Sequence, residues 1–304
     1  MTLPRRNLID PEATPYYHCV SRCVRRAFLC GKDKLTGYDF EHRRGWIESR
    51  LHFLATVFAI DVCAYAIMSN HYHVVLHINR AGLEALDEQS VIARWQKLHR
   101  VPDWLEQLET DDPRRIQTIT LWRERLGSVS WFMKSLNEPL ARLANKEDGC
   151  KGRFWEGRFR SQALLDDASV LKCMAYVDLN PIRAKLAKTP ETSDHTAVKA
   201  RIEGNDQSLA PMADQNSRGF ALPIRRSDYL TLVDWTGREL RRGKRGRIDA
   251  NIPPIIQRLE ADRGRWRDEL SHLTRRYSRA IGTVASLISY RDRLGQQRLN
   301  GLTV

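Results

Sequence analysis

The alternation of apolar and polar positions predicts that the chain begins with a strand, a helix and a hairpin. Residues 15–24 have the β-branched and aromatic content of a strand, and residues 38–60 repeat apolar side chains at helical spacing. Two more strands are predicted on either side of Ser69–Asn70, a pair that suits a two-residue turn because Asn tolerates positive φ. This order of elements favours an antiparallel sheet with helices, an α+β fold.

Helical periodicity dominates the next segment, residues 81–147. Ser90 is a candidate N-cap for one helix, and apolar positions predict another from about Ile116 to Lys146, which Pro139 would kink or divide. The Trp and Phe side chains of this segment repeat with the helical period, which is typical of a core rather than of a base-stacking surface. We therefore predict a helical insertion within a larger domain.

A further strand and helix are predicted before residue 190. Residues 151–165 have loop and then strand character, and Asp166–Asp167 indicates a helix start because acidic side chains favour the positive end of the helix dipole. The helix would run from about Ala168 to Asn180, where Pro181 ends it. These elements complete a predicted domain over residues 1–190.

The composition changes beyond this domain. Residues 191–225 are rich in Pro, Ser, Asn, Asp and Gly, which is typical of a linker. Residues 226–304 are basic and mainly helical in pattern. That pattern fits a helix that docks on a DNA stem, and it equally fits a solvated basic face.

Charge narrows the class of partner. The chain has 304 residues, a formal net charge of +13 and a pI near 9.7. This balance favours nucleic acid, although a merely basic soluble protein shares it. The sequence lacks an apolar run long enough to span a bilayer and an N-terminal apolar signal segment, so we expect a cytoplasmic, nucleoid-associated protein without a membrane partner. The six cysteines include no Cys-x-x-Cys pair and are expected to be reduced thiols.

The candidate chemistry lies in two separate segments. His71 and His73 alternate along a predicted strand and therefore share a face, where two imidazoles can bind one divalent metal, although ordinary strands also contain such pairs. Tyr176 and Asn180 are one turn apart on the predicted helix. If helix and strand meet, the Asn180 carbonyl oxygen completes a Mg²⁺ or Mn²⁺ site and the tyrosine hydroxyl faces a polarised phosphodiester. By periodicity alone, Tyr176 also fits a half-buried core position.

Three blocks carry a resemblance to a known family. They are Met68-Ser-Asn-His-Tyr-His-Val-Val-Leu76, Gly152-Arg-Phe-Trp-Glu-Gly-Arg-Phe-Arg160 and Tyr176-Val-Asp-Leu-Asn-Pro-Ile-Arg-Ala184. Together they resemble the HUH-type single-tyrosine transposases and are most similar to the REP-associated tyrosine transposases, over about residues 15–187. Two departures are that Ser69 replaces the usual proline and that 103 residues (176 − 73) separate His73 from Tyr176, more than in compact members.

The resemblance implies a ferredoxin-like α+β domain with a central antiparallel sheet that cleaves and rejoins single-stranded DNA at palindromic hairpins. By this similarity Tyr176 is the nucleophile that forms a 5′-phosphotyrosine link, and His71, His73 and Asn180 bind Mg²⁺ or Mn²⁺. The chain would act as a monomer or a homodimer. Charge and similarity together predict DNA contacts at Arg22, Arg25, Arg26, Lys151, Arg153, Trp155, Arg158, Arg160 and Arg183.

Two alternatives to this enzyme remain open from the sequence. One is a hairpin-binding protein with little or no cleavage activity. The other is a metal phosphohydrolase that uses His71, His73 and perhaps His77 without a covalent tyrosine step.

Overall fold

The computed structural model describes residues 8–24, 29–33, 37–215, 219–239, 278–296 and 299–303. Within them the strands are β1 (Tyr16–Arg22), β2 (Ile60–Ile67), β3 (His71–Ile78), β4 (Arg160–Leu164), β5 (Ala280–Gly282) and β6 (Gly301–Thr303). The α-helices are α1 (Arg43–Val57), α2 (Arg80–Glu84), α3 (Glu88–Trp95), α4 (Trp104–Gln107), α5 (Pro113–Leu126), α6 (Val129–Glu147), α7 (Asp167–Asp178), α8 (Asn180–Arg183), α9 (Ala197–Glu203), α10 (Arg226–Glu239) and α11 (Val284–Arg293). The predicted α+β class is confirmed.

The described strands form one sheet in the order β2-β3-β1-β4-β5-β6. The first four pair antiparallel, and β5 and β6 continue the sheet in parallel beyond β4. With β1 and β3 inside, and with helices after β1 and after β3, this core is ferredoxin-like, as predicted. The short strands β5 and β6 were not predicted, because three residues are too few to show an alternating pattern.

The hairpin between β2 and β3 has the predicted two-residue turn but not the predicted backbone. The Met68 N–H donates to the His71 carbonyl at 2.8 Å, which closes the turn around Ser69–Asn70. Among the described non-glycine residues, positive φ occurs only at Lys185 and His195, so Asn70 does not use it. The turn is instead held from outside, since its carbonyls accept hydrogen bonds from the backbone N–H groups of Cys23 and Cys30.

The register separates the side chains of the sheet onto two faces of different character. One face is largely apolar and packs on α1 and α6, with Val74 and Leu76 fully buried. On this face the Tyr72 hydroxyl donates to Asn137 Oδ1 at 2.7 Å, and Asn137 Nδ2 donates to Ser21 Oγ at 3.0 Å. The opposite face is rich in histidine and arginine and lies against α7. The candidate site is therefore on the α7 face.

The helical insertion is confirmed, but its internal boundaries differ from those expected. The predicted long helix is divided at Gly127, where Ser128 caps α6 by accepting from the Trp131 N–H, and Pro139 lies inside α6. Proline at that point would be expected to interrupt a helix, but the break lies where glycine and a capping serine coincide. The cap of α3 is Asp87 rather than Ser90, whose N–H it accepts.

Residues 191–225 depart from the expected linker. Ala66 forms a bridge with Thr196, and Val62 forms a bridge with Leu209, so the segment runs along the exposed edge of β2. Several of its apolar side chains, including Val198 and Met212, are fully buried, and Thr196 caps α9 by accepting from the Lys199 N–H. Composition alone therefore suggested a linker where scattered apolar residues in fact cover the edge of a sheet.

The described C-terminal residues belong to the same core. Tyr229 and Leu232 of α10 are buried, α10 packs against α7, and Ala280 of β5 pairs beside β4. The expected mainly helical region thus contains strands as well as helices. The basic run 241–247 lies outside the described residues. Across the described helices, none is both long enough and apolar enough to cross a membrane.

Candidate active site

The two histidines of β3 share one face of the sheet, as predicted. His71 is paired with Arg22 of β1, and His73 with Val20, so the two imidazoles project from adjacent positions of the α7 face. Their ring centroids are 4.9 Å apart, with the ring planes at 75°. His73 is buried and His71 is half-buried. This places one imidazole at the rim of the site and one inside it.

The helix that carries Tyr176 packs over these histidines. Asp166 begins α7 by accepting from the Ser169 N–H, and α7 then crosses β2, β3 and β4 on the histidine face. The Tyr176 ring lies edge-on to His73 with centroids 5.7 Å apart, and edge-on to His18 at 6.1 Å. The chain thus joins residues separated by 103 positions (176 − 73), the contact on which the predicted site depends.

Asn180 and Arg183 complete the surroundings of the tyrosine. Asn180 begins α8, one turn after Tyr176, and its Nδ2 donates to the Tyr176 carbonyl at 3.2 Å. The Arg183 guanidinium lies over the phenol ring, 5.1 Å from its centroid. Both side chains come from the short helix that follows α7, so the geometry of the tyrosine and its two neighbours is set within eight consecutive residues.

The electrostatics keep both histidines neutral. Burial, with a smaller effect of the Arg22 charge, lowers the pKa of His71 to about 4. Burial followed by the neighbouring His18 and His71 holds the pKa of His73 well below its usual range. Neutral imidazole is the form that binds metal, because the protonated ring has no free lone pair.

Tyr176 is held mainly in its protonated form. Burial raises the pKa of its hydroxyl, while the Arg183 charge and a hydrogen bond from Asn180 act in the opposite direction. Only 7% of the residue is exposed. The energetic cost of ionising the buried phenol is thus partly offset by one cation and one amide, which both favour the phenolate.

The donor atoms at the site would form an open set around a divalent metal. Nδ1 of His71 is 2.6 Å from Asn70 Oδ1, and Nδ1 of His73 is 2.9 Å from His18 Nε2, so Nε2 is the nitrogen of each ring on which a metal would bind. The described residues contain no group of three or more His, Cys, Asp or Glu side chains placed to hold a metal. Two imidazoles and an amide oxygen would leave positions for water and phosphate oxygens, and such an open set differs from the closed four-ligand set of a structural zinc site.

Comparisons with known proteins add a single weak likeness. The chain matches no protein-family profile and no curated protein. A solved structure of a REP-associated tyrosine transposase bound to a REP hairpin aligns with 74% of this chain and 98% of its own chain. The identity is 13% and the TM-score is 0.35. These values do not establish a family, so the function is inferred from the residues of the site.

The predicted basic residues that the structure describes gather at one edge of this site. Arg22 lies opposite His71, and Arg160 is joined to His73 through Val20 in the same row of the sheet. The loop before β4 runs beside the end of β1, because the Glu156 N–H donates to the Arg22 carbonyl at 2.8 Å. The exposed members of this basic edge are Arg22, Lys151, Arg153, Arg158 and Arg160. Arg25 and Arg26 lie outside the described residues.

The aromatic side chains of the loop before β4 pack against the protein, although Trp155 was predicted to contact DNA. Phe154 is buried, which removes it from contact with bases. Trp155 is half-buried, its Nε1–H donates to the Asn137 carbonyl at 2.9 Å, and its ring packs edge-on to Tyr72. Trp155 therefore anchors the basic loop to α6, and its predicted contact with DNA remains a prediction.

The structure clarifies the roles of two further histidines, His18 and His77, which the sequence pattern could not assign. His18 is 4% exposed and stacks beside His73 at 5.1 Å between centroids, although nothing in the motif includes it. The available signal was a histidine in the middle of the first predicted strand. His77 is bonded to Asp61 at 2.9 Å and stacked on Phe220 at 3.7 Å, which gives it a structural role.

Proposed function

We propose that this protein is a metal-dependent single-stranded DNA endonuclease and strand transferase that acts at palindromic hairpins through a 5′-phosphotyrosine intermediate. The observation that carries the proposal is the packing of the Tyr176 helix over His71 and His73, with ring centroids of 5.7 Å between Tyr176 and His73. A tyrosine, two neutral imidazoles and an overlying arginine have the chemistry of phosphodiester transfer.

Tyr176 would perform the covalent step. Its Oη loses the phenol proton and attacks the scissile phosphorus, a new bond joins Oη to phosphorus, and the bond from phosphorus to the 3′ oxygen breaks. The 3′ oxygen takes up a proton and leaves as a free hydroxyl. Arg183 lies over the phenol ring and favours its negative charge, which offsets part of the cost of burial.

His71, His73 and Asn180 would hold the metal. When bound, Mg²⁺ or Mn²⁺ would withdraw charge from the scissile phosphate and orient it. Asn70 supports this arrangement through its bond to His71 Nδ1, which presents the opposite ring nitrogen to the site.

The basic edge supports DNA as the substrate. Arg22 and Arg160 lie in the same rows of the sheet as the two histidines, where they would contact phosphates on either side of the scissile bond. The preference for a hairpin rests on the resemblance of the three sequence blocks to the REP-associated transposases.

A second candidate is a hairpin-binding protein without cleavage, and the burial of Tyr176 favours it, because a phenol that is 7% exposed must be uncovered before it can attack. A phosphohydrolase with three histidine ligands is disfavoured, since His77 lies four residues beyond His73 on β3, about 13 Å at the usual rise of a strand, and its ring is stacked on Phe220.

A covalent-adduct assay tests the proposal. The probe is a pool of single-stranded oligonucleotides that share one palindromic stem and carry a randomised unpaired tetranucleotide beside it, labelled at the 3′ end and incubated with Mn²⁺. A 5′-phosphotyrosine link would move the 3′ label with the protein on a denaturing gel, whereas a 5′ label would appear on a shorter free strand. We expect the adduct to disappear in Tyr176→Phe, which keeps the packed ring, and in His71→Ala.

The remaining outcomes separate the alternatives. Cleavage that persists in Tyr176→Phe would indicate a phosphohydrolase. Retention of the hairpin pool on the protein with no adduct from any member would indicate the binding protein.

A further inference from the structure

His18 lies at the centre of a buried chain of hydrogen bonds that ends at His73. His18 Nε2 is 2.9 Å from His73 Nδ1, and His18 Nδ1 is 3.3 Å from Gln162 Oε1. Gln162 Nε2 is 2.7 Å from the Ser278 carbonyl oxygen and 2.6 Å from its hydroxyl. Each of the four residues is at most 6% exposed. Water therefore has little access, and the groups must satisfy one another.

The chain has a direction that is set by its far end. A backbone carbonyl oxygen only accepts hydrogen bonds, so the Gln162 atom that faces Ser278 must be the amide nitrogen, and Oε1 must face His18. That oxygen accepts, so His18 carries its proton on Nδ1. His18 is buried, and the groups that face its two ring nitrogens, the Gln162 amide and the His73 ring, carry no negative charge that would stabilise a protonated imidazole. The neutral ring of His18 therefore accepts at Nε2, and the facing Nδ1 of His73 must be the donor.

We infer that Gln162 and His18 are positioning residues that hold His73 in the Nδ1–H tautomer, so that its Nε2 lone pair faces the site as a metal ligand. The inference rests on the proposed function for the identity of that ligand, but the tautomer itself follows from the hydrogen bonds and from the burial of His18. A ligating histidine usually donates its second ring N–H to a partner in the protein, which fixes the ring and strengthens the ligand.

The supporting residue at the end of the chain comes from far along the sequence. Ser278 precedes β5, whose Ala280 pairs with Ala163 next to Gln162 on β4. Ser278 therefore acts on His73 through the sheet, by way of Gln162 and His18. This gives β5 a role in the chemistry that its three residues do not suggest.

Nitrogen-15 NMR of the metal-free, histidine-labelled protein tests the tautomer without any variant. Two-bond proton–nitrogen correlations distinguish a protonated Nδ1 from a protonated Nε2, and the His73 signals are assigned by their loss in His73→Gln. We expect both His73 and His18 to carry the proton on Nδ1 near neutral pH. A proton on Nε2 of His73 would overturn the inference, whatever the activity of the protein.

Metal affinity of matched variants tests the consequence. In His18→Gln, the new amide oxygen can accept from His73 and the amide nitrogen can donate to Gln162, whereas His18→Leu and Gln162→Leu break the chain. By titration calorimetry with Mn²⁺, we expect the two Leu variants to bind on the order of 10- to 100-fold more weakly than the parent. His18→Gln should bind within about threefold of the parent, because its hydrogen bonds are retained.

The two measurements fail in different ways. If His18→Gln loses as much affinity as His18→Leu, His18 is itself a ligand and the positioning role is wrong. If the parent protein shows the expected tautomers but binds no Mn²⁺, the proposed metal-dependent function fails while the orientation of His73 by Gln162 and His18 is supported.

Discussion

At the scale of single residues, the nucleophile candidate is a tyrosine whose surroundings oppose its ionisation. Burial raises the pKa of Tyr176, whereas Arg183 and Asn180 lower it and so offset part of the effect of burial. The tyrosine is therefore mainly neutral, and the neighbouring positive charge favours its phenolate form. Substitution of those neighbours tests how far each of them shifts the pKa of Tyr176.

We expect Arg183→Met to slow adduct formation at pH 7 by about fivefold, because a cation over an aromatic ring contributes roughly 1 kcal/mol. Without the cation the pKa of Tyr176 rises further, so the rising limb of the pH–rate profile should move to higher pH. Arg183→Lys keeps the charge and should shift the limb less. A profile in Arg183→Met that coincides with that of the parent would contradict this role.

Substitutions of His77 and His71 should have different measurable effects. His77→Ala removes a bond to Asp61 and a ring stacked on Phe220, and we expect it to lower the free energy of unfolding by about 2 kcal/mol without changing Mn²⁺ affinity. His71→Ala should instead weaken Mn²⁺ binding and leave the free energy of unfolding nearly unchanged, because His71 is half-buried at the rim of the site. Denaturant unfolding and calorimetry measure the two quantities, and weaker Mn²⁺ binding in His77→Ala would show that its assigned structural role is incomplete.

At the scale of elements, α7 is held in place by the segments that follow it. Asp178, near its end, accepts from the Val198 N–H at 3.0 Å and from the Tyr229 hydroxyl, so one carboxylate ties α7 to α9 and α10. Burial raises the pKa of Asp178 to about 6, against opposing effects of Arg201 and these hydrogen bonds. The position of Tyr176 over the histidines therefore depends on residues beyond 190.

Tyr229→Phe tests this clamp. A folded pKa above the unfolded value of 3.8 means that stability falls as pH rises from about 4 to about 6. Loss of the hydroxyl donor raises that pKa further, so the variant should lose about 2 kcal/mol at pH 8 and less at pH 5, where Asp178 is protonated in the folded state. Unfolding curves at the two pH values measure this, and equal losses at both would argue against an ionised Asp178.

At the scale of the whole molecule, charge and core have different distributions. The exposed basic side chains near the site lie along the end of β1 and the loop before β4, while the core extends from β1 to β5 and includes both α9 and α10. A C-terminal truncation would remove buried residues such as Tyr229 and Ile281 as well as basic ones. Tests of DNA binding are therefore best made on surface arginines.

We expect Arg153→Ser with Arg158→Ser to weaken binding of the hairpin pool and to reduce the salt dependence. Each lost phosphate contact should lower the slope of log K against log salt by roughly 0.7 to 0.9. Arg100→Ser with Arg114→Ser is the matched control, because both arginines are exposed in the helical insertion and the change in net charge is the same. Fluorescence anisotropy at several salt concentrations measures the slopes, and equal slopes in the two variants would refute a local basic edge.

Much of the fold was predictable because its signals are local. The strand pattern placed His71 and His73 on one face, and Asp166 marked the start of the tyrosine helix. Three predictions were wrong. Gly127 and the capping Ser128, which are local signals, divide the insertion where Pro139 was expected to do so. Asn70 does not need positive φ because backbone hydrogen bonds hold its turn from outside, and the described part of residues 191–225 packs on β2 through tertiary contacts.

The periodicity of the elements, the excess of positive charge and the spacing of the histidine, tyrosine and asparagine residues can all be read from the amino-acid sequence. The contact of Tyr176 with His73, and the hydrogen bonds that link His73 to His18 and His18 to Gln162, came from the packing of distant segments. The physical reason is that local backbone preferences act over a few residues, whereas contacts across 103 residues depend on which apolar faces pack together. The register of β1 with β3 and β4, set by that packing, is what builds the candidate site.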